Sequence, residues 1–170
     1  MERGGTMYQI NDIIFYGGTG ICRIDDIGTE PFDGAPRDVL YYIMHTLSEP
    51  RQTIFNPVSN ERVFMRHLLT REEAEAFLAE ASAIEALSAP SSKLLREEYT
   101  KEMKTYVPTG WVRVMRTFME REAAAVRVTD AERAFFEAAK RHLYTELALA
   151  LGESEKEAEA RLFEALTMTR

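Results

Sequence analysis

The sequence is poor in the residues that most often carry chemistry. Its 170 residues include a single cysteine, Cys22, a single tryptophan, Trp111, and three histidines, His45, His67 and His142. One cysteine excludes an internal disulfide, and a reducing cytoplasm is the expected compartment. Cys22 falls inside a strand pattern and reads as a small buried hydrophobe, while the scattered histidines lack the spacing of metal ligands. No run approaches the roughly 20 apolar residues that cross a bilayer, so no membrane partner is expected. The first residues, MERGGT, lack the apolar core of a secretory signal. Met7 opens a strand pattern, which makes Met1 to Thr6 an expected tail outside the fold. Positive charge is also short. The formal net charge is −7, which disfavours nonspecific coating of nucleic acid, because that mode depends on many phosphate neutralisations. Any DNA contact must be local or assisted by a partner.

What the chain does have is a globular composition, 45% hydrophobic and 29% charged, enough to build a core in one or two small domains. Residues 1–68 hold 6 basic and 9 acidic side chains and residues 69–170 hold 15 and 19, so both halves are acidic. Within the second half, residues 91–121 carry Lys93, Arg96, Lys101, Lys104, Arg113, Arg116 and Arg121 against four glutamates, a local surplus of +3.

The first 68 residues pattern as short strands. Asp12 to Tyr16 is apolar and β-rich, Gly17-Gly18-Thr19-Gly20 supplies a turn, and Ile21 to Ile27 alternates as a second strand. Pro31, Gly34 and Pro36 mark a longer loop, after which Val39 to Met44 and Thr53 to Phe55 are two more strands joined by a polar turn. Four or five short strands bury little as an open sheet, so a closed SH3-like or Tudor-like barrel is expected.

The pattern changes at Leu69. Thr70-Arg-Glu-Glu73 predicts a capping box and a helix from Arg71 to about Leu87. Ser88-Ala-Pro-Ser-Ser92 breaks the chain, and helices follow over Lys93 to Tyr106 and Trp111 to about Glu122, separated by Pro108 and Gly110. Thr129 caps a long helix to about Leu151, with Phe135, Phe136, Ala139, Leu143 and Leu147 on one side. Gly152 stops it, and Ser154 caps a last helix that buries Ala158, Leu162 and Leu166. The expected architecture is therefore α+β in two parts: a small β-barrel over 1–68 and an all-α domain of about five helices over 69–170. A monomer is expected.

Catalysis needs a nucleophile with its base, a metal cluster or a phosphate cradle, and none is visible. Gly17-Gly18-Thr19-Gly20 lacks the lysine and following helix of a phosphate loop, and a β-turn explains it better. A non-enzymatic protein without metal or cofactor is expected.

The ordered segments YQINDIIFYGGTGICRI (Tyr8 to Ile24), YYIM (Tyr41 to Met44), TIFNPVSN (Thr53 to Asn60) and Met65-Arg66 resemble the N-terminal domain of CarD-family bacterial transcription regulators, a domain also found in transcription-repair coupling factors. The similarity continues through LLTREEAEAFL (Leu68 to Leu78), REEY (Arg96 to Tyr99), WVRVMRTF (Trp111 to Phe118) and LYTELALALG (Leu143 to Gly152). It covers nearly the whole chain, and the helical half favours the stand-alone regulator over a fragment of a coupling factor. The resemblance implies docking on the β subunit of bacterial RNA polymerase, with the helical domain near promoter DNA at the upstream edge of the bubble. DNA is thus a partner only in the context of polymerase, where it bears on open-complex lifetime.

Within that resemblance, Arg51, Thr53, Ile54 and Phe55 lie where the family's docking strand falls, and backbone pairing of an exposed strand is the expected contact. Phe55 stands where some members carry an arginine, so an aromatic anchor replaces an ion pair. Many members also place a tryptophan just before the REEY helix, where it wedges against a base; this sequence has Ser88 or Ala89 there. Trp111, spaced with Val114, Met115 and Phe118, is expected in the core. The remaining DNA-proximal candidates are Arg113, Arg116, Arg121, Lys140 and Arg141, which can hold phosphates without reading bases; a solvated face is the competing reading for each. Two further readings compete: an adaptor that binds its partner through the helical bundle, and an autonomous DNA-binding protein, which the charge disfavours.

Overall fold

A computed structural model describes residues 7–168, and the chain divides into two compact units, Met1–Leu68 and Leu69–Arg170. The expected tail, Met1 to Thr6, lies outside the described residues.

The first unit contains five strands: β1 (Ile13–Tyr16), β2 (Gly20–Thr29), β3 (Leu40–Thr46), β4 (Thr53–Pro57) and β5 (Met65–His67). β1 and β2 form a hairpin paired Ile13 with Arg23 through Tyr16 with Gly20. Its turn places Gly18 at φ 83° and Gly20 at φ 115°, values a residue with a Cβ adopts only with strain. Alternation along the strands sends Ile14, Cys22, Ile24, Tyr42 and Met44 to one face, where they form a buried core with Tyr8. Tyr16, Ile27, Ile54, Val58 and Met65 pack against that core.

The expected barrel does not close. The strands make one antiparallel sheet in the order β4-β3-β2-β1-β5, with no ladder joining its two ends. The reason lies in the end strands. β5 is only three residues long, and β4 finishes on Pro57, which has no N–H to offer a neighbour. Side chains meet there instead: Asn56 Nδ2 donates to Met65 Sδ at 3.4 Å, and Asn60 Nδ2 donates to Asn56 Oδ1 at 2.8 Å. Asn56 is thereby buried with its amide partnered.

The second unit is helical: α1 (Arg71–Glu80), α2 (Ser92–Met103), α3 (Pro108–Ala123), α4 (Asp130–Leu151) and α5 (Glu155–Thr167). Thr70, Thr129 and Ser154 each form a capping box with the glutamate three residues on, which satisfies otherwise orphaned backbone donors. Gly152 closes α4 in the left-handed conformation at φ 68°. α1 is shorter than its expected Arg71 to Leu87. After a 3-10 turn at Ala81–Ala83 the chain runs extended, held where the Leu87 N–H donates to Thr117 Oγ1 at 2.7 Å.

α3 is the central element. Trp111, Val112, Val114, Met115 and Phe118 are all buried. Trp111 is 0% exposed and its ring lies 5.0 Å from that of His142, while Phe118 stacks on Phe136 at 4.3 Å and Tyr99 on Phe135 at 5.6 Å. Glu146, also fully buried, accepts from the Leu69 N–H at 2.9 Å. Among the described residues no helix is long and apolar enough to cross a membrane.

Candidate functional site

β4 is an end strand, paired on one side only, with β3. Its hydrogen-bond phase follows from one bond beyond the strand, the Val58 N–H to the Leu40 carbonyl at 2.8 Å. In the observed register Tyr42 faces Asn56 and Met44 faces Ile54. Bonded and non-bonded pairs alternate along an antiparallel ladder, so Ile54, Asn56 and Val58 spend their backbone groups on β3. Thr53, Phe55 and Pro57 turn theirs outward. Two N–H donors and two carbonyl acceptors, those of Thr53 and Phe55, therefore line the free edge, while the Pro57 carbonyl already accepts from the Asn60 N–H at 2.9 Å.

The side chains divide the same way. Ile54 packs on the core, whereas Thr53 and Phe55 are exposed on the opposite face, Phe55 to 38%. Arg51 is exposed in the turn that leads into β4. Of the four docking candidates, then, three reach solvent and Ile54 anchors the strand from beneath. Next to Phe55 lie two aromatic rings that the strand pattern did not single out. Phe32, from the loop between β2 and β3, has its ring 5.3 Å from that of Phe55 and 5.6 Å from that of Tyr41. Phe32 is 41% exposed, and the three rings make a shelf beside the free edge. Only a loop folded back onto β3 brings Phe32 there, and its position in the chain gives no hint of that.

Four of the five cationic candidates of the second unit have partners within it. Arg113 pairs with Glu102 at 3.3 Å. Arg116 donates to the Ala81 carbonyl at 3.4 Å. Arg121 pairs with Glu132 at 2.9 Å and also reaches the Arg127 carbonyl. Lys140 pairs with Glu137 at 3.6 Å and lies over the Phe136 ring at 5.1 Å. These four side chains are engaged within the bundle, and of the five only Arg141, exposed on α4, has no side-chain hydrogen bond or ion pair among the described residues.

A different helix carries the unengaged charge. On α2, Leu95 and Tyr99 face inward, and Lys93, Arg96, Lys101 and, at its C-cap, Lys104 are exposed, with no ion pair among the described residues. Glu97 is the one acidic side chain set among them on the outer side. The sequence signal was present as the +3 surplus over 91–121; distributing it over helices required knowing which cations the fold consumes. At the start of α2, Ser88 and Ala89 border a hollow of about 250 Å3 with Leu95, Thr117, Arg121 and Val126. No aromatic side chain stands at that point.

Two groups with chemical potential are held inert. Burial pushes the Cys22 thiol up to about 11 and the Tyr99 phenol up to about 12, so both stay neutral at physiological pH. Among the described residues no three histidine, cysteine or acidic side chains gather in a way that could hold a metal ion. Compared with protein-family models and with curated proteins, the chain matches none.

Proposed function

We propose that this protein is a CarD-type transcription regulator that docks on the β subunit of bacterial RNA polymerase through the free edge of β4. The observation that carries this reading is the outward backbone of Thr53 and Phe55 on an end strand with an exposed aromatic side chain, the arrangement by which one strand adds to another. The ordered resemblance of the strand and helix segments to that family supplies the partner. Held there, the second unit meets promoter DNA at the phosphates, which bind without specifying sequence. The exposed cations of α2, with Arg141, are the groups free to do this. No catalytic step is part of the proposal.

The test uses the full chain and purified RNA polymerase. Wild-type protein retains polymerase through its β subunit, and Thr53→Pro abolishes retention. That substitution removes an outward N–H while leaving the bonds from β4 to β3 in place, so a folded Thr53→Pro protein that still retains polymerase sinks the edge-docking reading.

A further inference from the structure

We infer that the aromatic shelf of Phe32, Tyr41 and Phe55 selects the strand that docks on β4: an extended segment with a large apolar side chain opposite Phe55, no charge at that central position, and an acidic residue at its end nearest Arg51. The inference rests on the edge-docking reading and adds the chemistry of the partner strand. Three observations carry it.

First, the edge is uncharged over its full length. Residues 52–60 read QTIFNPVSN, without an ionisable side chain; on β3, Tyr41 and Ile43, which face Pro57 and Phe55, are uncharged, and the one titratable residue, His45 opposite Thr53, is already bonded to Asp25 at 2.7 Å. A strand laid against this edge desolvates whatever it carries, and a charge placed opposite Phe55 finds no counter-charge in the residues paired there. Second, Phe32 and Phe55 are each about two-fifths exposed although their rings touch. Water is thus left on ring faces already fixed by mutual packing with Tyr41, itself only 7% exposed. Preorganised aromatic surface of this kind gives binding energy with little ordering cost. Third, the polar groups that do exist mark the ends of the site. Pro57 withholds an N–H and so stops the ladder at one end. At the other end Arg51 is exposed and free of ion pairs among the described residues, where an acidic residue of the partner meets it at the rim.

Side-chain direction makes the partner's geometry explicit. Phe55 and Ile43 form a non-bonded cross-strand pair, so their side chains stand close on the outer face. On the far side of Phe55 the incoming residue completes a row of three across the sheet. Because alternate residues of the incoming strand point to the same face, its neighbours at two positions on either side lie over Thr53 and Pro57. Of these positions only the central one meets the rings.

The experiment measures affinity of the full-length protein for purified bacterial core RNA polymerase by surface interferometry, with circular dichroism to show that each variant is folded. Phe32→Ala lies outside β4 and leaves its backbone unchanged, and it weakens binding about tenfold, as loss of an aromatic anchor does. Phe55→Ala has an effect of about the same size, Phe55→Arg binds no better than Phe55→Ala, and Arg51→Ala costs about twofold, as expected of a rim charge. If Phe32→Ala and Phe55→Ala bind like wild type while Thr53→Pro does not, the strand still docks and the aromatic selection is overturned. Tighter binding by Phe55→Arg overturns it as well, because the partner then offers an acidic residue at the centre. If the wild-type protein itself does not bind polymerase, or instead pairs with a second copy of itself, the edge-docking reading and this inference fall together.

Discussion

Trp111 shows how one residue decides between two accounts of the helical unit. Its ring has no exposed surface and lies against His142, so it supports the bundle and is not presented to a base. Trp111→Ala should destabilise the protein by about 3–5 kcal/mol, as large core truncations do, measured by urea unfolding; an unchanged midpoint contradicts the placement. Glu146 is a sharper case. Its buried carboxylate accepts from the Leu69 N–H at 2.9 Å, and Glu146→Ala strands that donor at a cost of about 1–3 kcal/mol. Glu146→Gln keeps an acceptor oxygen and should lose visibly less. Cys22 sets a pH dependence. Its thiol ionises near 9 when exposed and near 11 in the fold. Below pH 9 both states are protonated and this residue leaves stability unchanged. From 9 to 11 the unfolded chain ionises first, and stability falls. Cys22→Ala should remove the part of the alkaline loss that begins near pH 9, leaving the later part that Tyr99 contributes.

At the scale of elements, α2 carries the most informative substitution. Lys93, Arg96, Lys101 and Lys104 are exposed and unpaired among the described residues, so reversing all four to glutamate should leave the melting temperature nearly unchanged. The same variant should keep its affinity for polymerase and lose its effect on promoter-complex lifetime. Arg121→Glu is the contrast: it breaks a pair with the buried Glu132 and should unfold the bundle more readily. Three of the helix starts were legible in the sequence because each depends on residues three apart in the chain: Thr70 with Glu73, Thr129 with Glu132, Ser154 with Glu157; α3, without such a box, begins at Pro108 and not at the expected Trp111. The end of α1 was not. Ala81 to Ala83 favours helix locally, yet the Leu87 N–H bonds Thr117 from another helix, and a contact 30 residues away overrides propensity. The last helix buries Ala165 in place of the expected Leu166, a shift of one position in the inward face. Barrel closure was misread for a similar reason: strand pattern gives faces, but a seam needs a ladder that three residues of β5 and the Pro57 end do not provide.

For the whole molecule, the two compact units carry separate tasks in this account. One offers a strand edge free of charge, and the other a helix face rich in it. Net charge of −7 means that the cationic face acts only when something else brings DNA to it, so the isolated protein should not retain a promoter fragment even at about 10⁻⁴ M, the weak end of the range of roughly 10⁻⁴–10⁻⁶ M typical of nonspecific binders. The site was legible in part. β4 and its exposed Phe55 could be placed from the chain alone, while the Phe32 shelf and the consumption of Arg113, Arg116, Arg121 and Lys140 by internal partners depend on contacts between distant segments. The most direct test of the central claim is binding of purified full-length protein to purified bacterial core RNA polymerase, followed by protection of backbone amides from hydrogen exchange. The account predicts a complex in which the amides of Thr53 and Phe55 become protected. A complex that leaves both amides exchanging as in the free protein, or no complex at all, contradicts it.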